Sequence, residues 1–347
     1  MKFIYVLVSS TNDFYYEQVL MSVFSLREYE PAAEIFFFVD DKTNATFTKD
    51  LKREELKKIA TKIISVDFDE TKNALERSRF LKTTIPNYIE GEFLFIDCDT
   101  IICNTLSEIS NINADIAAVL DGHSLLSDHV HKDHFYKYDK KMGFKSFLET
   151  DKNFNSGVIY CKNNEACKKV FEKWHELWKF CEYEKHDHHD QPAFNEAIFL
   201  SEVKFEELDG EWNCQPSSGG LEFLGEAKII HYFSSEFDGK NYVPYYKLAD
   251  KNLQMRIKEA GNIPDDIKAM IKNPRFQFNK VYLIKDQRIV SIMQSPLIFT
   301  FAEMKMKAPV LFKFFEGCAS FARTIGKKLK YKNTREKNGN KIESFQN

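Results

Sequence analysis

The sequence predicts an α/β domain: a mostly parallel sheet with helices on both faces. Three observations predict it. Short apolar runs bounded by polar residues recur at Phe3–Val8, Ile35–Val39, Lys62–Val66 and Glu92–Ile96, as buried strands do. Stretches with helical spacing separate them. Each interval leaves room for a crossover, so neighbouring strands run parallel through right-handed connections.

In order, Met1–Val8 is the first strand rather than a secretory leader. The run is short and passes into Ser9-Ser10-Thr11-Asn12-Asp13 without a small-x-small cleavage site. Tyr15–Tyr29 sets Val19, Val23 and Leu26 at helical spacing, with Pro31 as a breaker. Ile35–Val39 ends in Asp40-Asp41, Leu51–Ala60 is a charged amphipathic helix, and Glu76–Ile85 is a helix stopped by Pro86. Ile116–Leu120 is another strand. Asn153–Tyr160 is a polar turn running into a strand, where Gly157 allows close approach to the backbone. Asp190 caps a helix with Pro192 in its first turn, and Lys228–Phe233 is a strand interrupted by His231. Tyr242–Ile271 is a helical linker punctuated by Pro244 and Pro264, and Val281–Ile292 has a hairpin pattern around Asp286-Gln287.

The 347 residues, 43% hydrophobic and 14% aromatic, suffice for one large or two ordinary domains with a substantial core. Seven irregularly spaced cysteines form neither a disulfide framework nor a CxxC pair, which fits a reducing, cytoplasmic compartment. No run of about eighteen uncharged apolar residues occurs, so a spanning helix is not expected. The net charge of −3 hides an asymmetry. Between Glu303 and Lys341 eleven Lys/Arg face three Glu, whereas the remaining chain has 38 basic against 49 acidic residues. The acidic body argues against nucleic acid as a partner, and the basic tail argues for an anionic surface, a membrane. From Pro296 onward Leu297, Phe301, Leu311, Phe314, Phe315 and Phe321 alternate with lysines, the pattern of amphipathic helices at a membrane interface. A helical hairpin packed on the catalytic domain is the competing reading of that stretch.

Asp97-Cys98-Asp99 follows the apolar run Phe93–Ile96. Side chains two apart on an extended chain point the same way, so the two carboxylates can converge on one divalent cation carrying phosphate oxygens. The carboxyl ends of parallel strands hold the ligand in open α/β sheets, which brings the Ser9–Asp13 loop to the same edge. Its hydroxyls and N–H groups suit a base, ribose or phosphate. Alone, Asp-x-Asp is equally a strand end with two solvated acids. His186, His188 and His189 resemble a metal cluster but read better as a solvated loop; His123, His129, His131 and His134 lie in a polar stretch suited to acceptor contacts.

Asp97-Cys98-Asp99, Asn155-Ser156-Gly157, Asp190-Gln191, Trp212-Asn213 and Ile230-His231-Tyr232 together resemble, in order and approximate spacing, the glycosyltransferase family 8 type, nucleotide-sugar transferases of GT-A (Rossmann-like) fold. Arg79-Phe80-Leu81 is similar to that family's Tyr-x-Arg-Leu segment, with Ser78 and Phe80 departing from it. The resemblance covers about residues 1–240 and implies a catalytic domain there; beyond it the family pattern is lost, and the residues themselves read as a linker or accessory segment at 241–294 and a basic amphipathic helical region and tail at 295–347. The resemblance implies a UDP-sugar donor, a saccharide or glycolipid acceptor, retention at the anomeric carbon, and Mn²⁺ (or Mg²⁺) held by Asp97, Asp99 and His231, Asp97 also reaching the ribose. Ser9, Ser10 and Asn12 would lie along the nucleotide, Arg79 on the diphosphate or donor sugar, and Asn155, Asp190 and Gln191 at the reacting face. The family's Gly-x-x-Lys-Pro-Trp segment after the histidine is missing, and Lys240 is the replacement for its diphosphate-binding lysine. The basic amphipathic tail, rather than the resemblance, suggests an acceptor at the membrane, such as a lipid-linked or outer-surface glycan in bacterial cell-surface polysaccharide synthesis, with the chain cytoplasmic and peripheral on the inner face.

Two other classes fit parts of the chain. Leu94–Thr100 matches the start of a haloacid-dehalogenase phosphatase, whose first Asp is a nucleophile, but nearly a hundred residues of βα pattern precede it here. A non-catalytic nucleotide-sugar or glycan-binding protein would explain the missing lysine.

Overall fold

The structure is a computed structural model and describes residues 1–129, 132–233, 244–279 and 296–324. The chain divides into two compact units, residues 1–279 and 280–347. In the first, a seven-stranded sheet has the order β3-β2-β1-β4-β7-β6-β8, from β1 (Lys2–Leu7), β2 (Glu34–Asp40), β3 (Lys62–Val66), β4 (Phe93–Ile96), β6 (Ile116–Leu120), β7 (Phe154–Cys161) and β8 (Phe205–Leu208). Only β7 among them runs antiparallel to its neighbours. β5 (Thr100–Ile102) and β9 (Ile229–His231) form a separate antiparallel pair.

The mostly parallel sheet expected from the sequence is present. Phe36, Phe38, Phe93 and Phe95 meet Trp174 and Trp178 of α7 (Glu165–Lys179) and Phe194 of α8 (Gln191–Phe199) in one core. Alternate residues face the other way, where Tyr5 bonds Ser22 of α1 (Tyr15–Tyr29) at 3.0 Å. That helix is buried along most of its length, and its Ser22 and Ser25 also bond Thr100 and the Ile102 N–H, fixing β5.

Several elements differ from the expectation. The second strand passes directly into α2 (Asp41–Lys49), because the Asp40 carboxylate accepts from the Thr43 N–H at 2.9 Å and Phe47 is fully buried. Leu51–Ala60 is not one helix but a 3₁₀ turn, Leu51–Arg53, followed by α3 (Glu55–Ile59). α4 (Ala74–Thr83) begins two residues before Glu76, where Asn73 and Glu76 form a reciprocal capping box. α5 (Lys132–Met142) and α6 (Ser146–Thr150) lie between β6 and β7. Residues 244–279 belong to the first unit and contribute α9 (Lys251–Ala260) and α10 (Asp265–Ile271), separated by Gly261 in the left-handed conformation (φ 69°) and by Pro264. The hairpin pattern at Val281–Ile292 lies outside the described residues.

The second unit shows α11 (Pro296–Lys307) and a further helix, α12, over 309–324. Phe301 and Phe315 make an edge contact between them. Among the described residues no helix is long and apolar enough to cross a membrane.

Candidate active site

The sheet order reverses between β1 and β4, and the crevice at their carboxyl ends is where an open α/β sheet holds its ligand. Asp97, Cys98 and Asp99 leave β4 there, with the Asp97 N–H bonded to the Gly157 carbonyl (2.8 Å) and the Cys98 thiol to the Val6 carbonyl. Because β7 enters antiparallel, it delivers Asn155, Ser156 and Gly157 to the same edge. The β5–β9 pair brings His231 opposite Thr100, so that its Nε2 stands 3.3 Å from Asp99 Oδ1. Ligand atoms of Asp97, Asp99 and His231 all lie within 4.8 Å of one another, and they form the one such group found among the described residues.

The space between these side chains is tight. A Cβ on Gly157 would lie 2.4 Å from His231 Cε1, 2.8 Å from Asp97 Oδ2 and 2.9 Å from Asn155 Oδ1. Two carboxylates and one imidazole are the donor set of a cation that accepts both oxygen and nitrogen, so these residues fit Mn²⁺, or Mg²⁺ less well. Burial raises the Asp97 pKa despite the Lys82 and His231 charges beside it. At His231 burial pulls the other way, but the Asp99 carboxylate outweighs it and the pKa is raised.

Beside this cradle α4 presents Arg79 and Lys82 one turn apart, and both reach Asp190. Arg79 Nε is 2.8 Å from Asp190 Oδ1, Lys82 Nζ 3.2 Å from Oδ2, and Lys82 also stands 3.8 Å from Asp97. Lys82 further donates to Ser156 Oγ and lies over the Phe95 ring. Burial would push the Asp190 carboxyl up, but the Arg79 and Lys82 cations overcome it and hold the pKa at about 2. Asp190 occupies the N-cap position of α8 without making the side-chain cap expected of it, because its oxygens face those cations instead. Gln191 accepts from the Ser156 N–H (3.1 Å) and donates to Asn153, whose amide in turn donates to Asp121. Burial raises the Asp121 pKa.

These groups line one cleft of about 900 Å³, shared by Arg79, Lys82, Asp97, Asp99, Asp190 and His231. Asn155 and Gln191 also line it, as do Tyr15, Asp121 and Asn153. Ser9, Ser10 and Asn12 do not line it. Ser9 and Ser10 hydroxyls donate to Asp13, Arg53 donates to Ser9, and the Asn12 N–H turns back to Ser10 Oγ. Lys240 lies outside the described residues, as does His131. His188 pairs with Glu182 and His189 with Asp187, while His123 accepts from the Gln215 N–H. The sequence reading overlooked Lys82 and Asp121. Lys82 shares a helix face with Arg79, and Asp121 directly follows an apolar strand as Asp97 does; those were the available signals.

The chain matches Glycosyl transferase family 8 over residues 6–236. No curated protein matches it. Among solved structures it is similar to the apo structure of the bifunctional glycosyltransferase WbbM, at 16% identity and a TM-score of 0.50 over 75% of this chain. The chain spans 51% of the WbbM chain, about half its length. It is also similar to the galactosyltransferase LgtC in complex with donor and acceptor sugar analogs, at 14% identity and a TM-score of 0.46 over 78% of this chain and 99% of that one. A third likeness is to the glycosyltransferase GlyE of Streptococcus pneumoniae TIGR4, at 16% identity and a TM-score of 0.44 over 78% of this chain and 63% of that one.

Proposed function

The chain belongs to glycosyl transferase family 8, and from that premise we propose that it moves a hexose from a UDP-sugar to a glycan or lipid-linked saccharide, with retention of anomeric configuration. The observation that carries this reading is the convergence of Asp97, Asp99 and His231 at the sheet's switch point, beside the Arg79–Lys82–Asp190 cluster. Asp97, Asp99 and His231 would hold a divalent cation, which when bound would supply Lewis-acid stabilisation for charge on the leaving diphosphate.

In this reading the chain's own residues do the rest. Arg79 and Lys82 are fixed cations beside the leaving group, preorganised by Asp190 so that little reorientation is needed as charge develops. Asp190, with its pKa near 2, stays ionised at neutral pH and cannot deliver a proton. Its role is to face the positive charge that builds at the anomeric carbon, with Gln191 and Asn155 holding sugar hydroxyls. Ser9, Ser10 and Asn12 shape the nucleotide loop through Asp13 rather than through free hydroxyls, and Lys240 is assigned to the diphosphate on sequence grounds alone. Residues 1–240 carry the catalysis and 241–294 are accessory to it.

The basic region at 295–347 contacts an anionic membrane peripherally, from the cytoplasmic face of a bacterium, and places the enzyme beside a lipid-linked acceptor for cell-surface polysaccharide. Supporting this, Val310, Leu311, Phe314, Phe315 and Phe321 are exposed on one arc of α12, while Lys313 and Arg323 lie on the opposite arc. Calorimetric titration of UDP with and without Mn²⁺ tests the donor site. Metal-dependent binding that Asp99→Ala abolishes is expected; equal binding without metal, or none in either condition, overturns the assignment.

A further inference from the structure

The cation cradle is backed by side-chain amides whose orientation follows from one backbone group. The Gly157 N–H donates to Asn155 Oδ1 at 2.9 Å, which identifies that atom as the oxygen. The Asn213 amide nitrogen must then be the group that meets it, at 2.9 Å. Asn213 Oδ1 therefore faces His231 Nδ1 at 3.1 Å, and an oxygen there requires a proton on Nδ1. Nε2 lies on the other side of the ring, 3.3 Å from Asp99 Oδ1, where a bound cation would take its lone pair. At the far end the Asn155 amide donates to Asp121 Oδ1 at 2.8 Å, and the Asn153 amide to Asp121 Oδ2 at 3.2 Å. Asn153 Oδ1 is already committed to the Gln191 and Asn195 amides, so its nitrogen also has to face Asp121. Both arms donate toward the same carboxylate, one from the cradle and one from Gln191. Asn213 and His231 are buried, which leaves water little part in deciding these orientations.

We propose that Asn213 is a positioning residue that holds His231 as its Nδ1–H tautomer and so presets Nε2 for the cation, with Asp121 as the shared acceptor that orients the amides behind it. The inference deepens the proposed function and rests on the reading of Asp97, Asp99 and His231 as a cation site. A partner on the distal nitrogen fixes ring orientation and tautomer and raises the basicity of the ligating nitrogen; loss of such a partner typically lowers metal affinity by about 10- to 100-fold.

The test compares full-length Asn213→Leu and Asn213→Asp with the wild type. Leucine has similar bulk and no acceptor, whereas aspartate keeps an acceptor for Nδ1–H. Mn²⁺ affinity is read from the free-ion EPR signal. The His231 tautomer is read from ¹⁵N shifts of metal-free, histidine-labelled protein at a pH high enough for the ring to be neutral, with His231→Gln identifying its resonances. Asn213→Leu is expected to weaken Mn²⁺ binding by about tenfold or more and to lose the Nδ1–H signature, while Asn213→Asp, which gives up the donor to Asn155 Oδ1 but keeps an acceptor, retains the Nδ1–H signature. Wild-type affinity and tautomer in the leucine variant overturn the proposal, as does an aspartate variant that loses the Nδ1–H signature as the leucine one does. Should Asn213→Leu not fold by near-UV circular dichroism, Asn213→Ala carries the same expectation. Wild-type protein that binds no Mn²⁺ overturns the cation-site reading itself, and the tautomer measurement, made without metal, still decides the role of Asn213.

Discussion

Gly157→Ala places a methyl group where the cradle has no room. The new carbon would stand 2.4 Å from His231 Cε1, against about 3.5 Å or more for an ordinary carbon contact, so the ring must retreat by about 1 Å. The ring cannot do so and keep its bond to Asn213, and Asp97 Oδ2 at 2.8 Å from the methyl is pushed as well. Overpacking of this kind costs about 1–3 kcal/mol and one lost buried hydrogen bond about 1 kcal/mol, giving roughly 2–4 kcal/mol of destabilisation. Displacing two of three ligands should lower Mn²⁺ affinity by at least about tenfold. Denaturant unfolding reads the first quantity and Mn²⁺ titration the second. A Gly157→Ala protein with wild-type stability and Mn²⁺ affinity would refute the geometry of the cradle.

Four further outcomes follow from the same geometry. Lys82→Met removes the buried ammonium between Asp97 and Asp190; it should destabilise the fold by about 3–5 kcal/mol at neutral pH, measured by urea unfolding, and an unchanged midpoint would contradict the pairing. Asp190→Asn should lower turnover by about 100-fold or more while UDP–Mn²⁺ binding stays within several-fold, so a variant that keeps wild-type kcat removes Asp190 from the reacting face. Glu17, buried 3.9 Å from Lys258, has its carboxyl pushed by burial from 4.5 up to about 7. The folded state therefore binds the proton more tightly than the unfolded chain, and the stability this gives is full below pH 4.5 and lost as the pH rises through 7. Glu17→Gln should accordingly gain on the wild type by up to about 3 kcal/mol between pH 5 and pH 8, and parallel pH profiles would disprove it. Deleting residues 296–347 should abolish co-sedimentation with phosphatidylglycerol vesicles, and full-length protein should lose that binding in high salt; salt-insensitive binding, or binding retained after deletion, would point elsewhere.

The strands were legible because Phe3–Leu7, Ile35–Val39 and Phe93–Ile96 are uninterrupted apolar runs buried on both faces, which leave their mark in composition alone. α1 was equally plain, since its apolar spacing and its breaker are both strong. α2 was not: Asp41–Lys49 is rich in Thr and Asn, weak helix formers, and only Thr43 and Phe47 mark its buried face. Its stability comes from the Asp40 cap and from burial of Phe47 against the Tyr16 ring, which are tertiary facts. The convergence of Asp97, Asp99 and His231 could be read because they sit in short, distinctive motifs, and the pairing of β5 with β9 then explains why residues 99 and 231 meet. Lys82 was missed because a lysine on a charged helix reads as solvated, and nothing local says that β7 and α8 will close over it. The serines of the first loop looked free to bind a nucleotide, and only the folded chain shows that Asp13 and Arg53 engage their hydroxyls.

The most direct test of the central claim is turnover. Full-length protein is incubated with each of a panel of UDP-hexoses, with Mn²⁺ and then with EDTA, and release of UDP is followed by chromatography. The account predicts UDP release from at least one donor that requires the metal and is lost in Asp99→Ala. No release from any UDP-sugar, together with release of inorganic phosphate from a phosphomonoester, would contradict it.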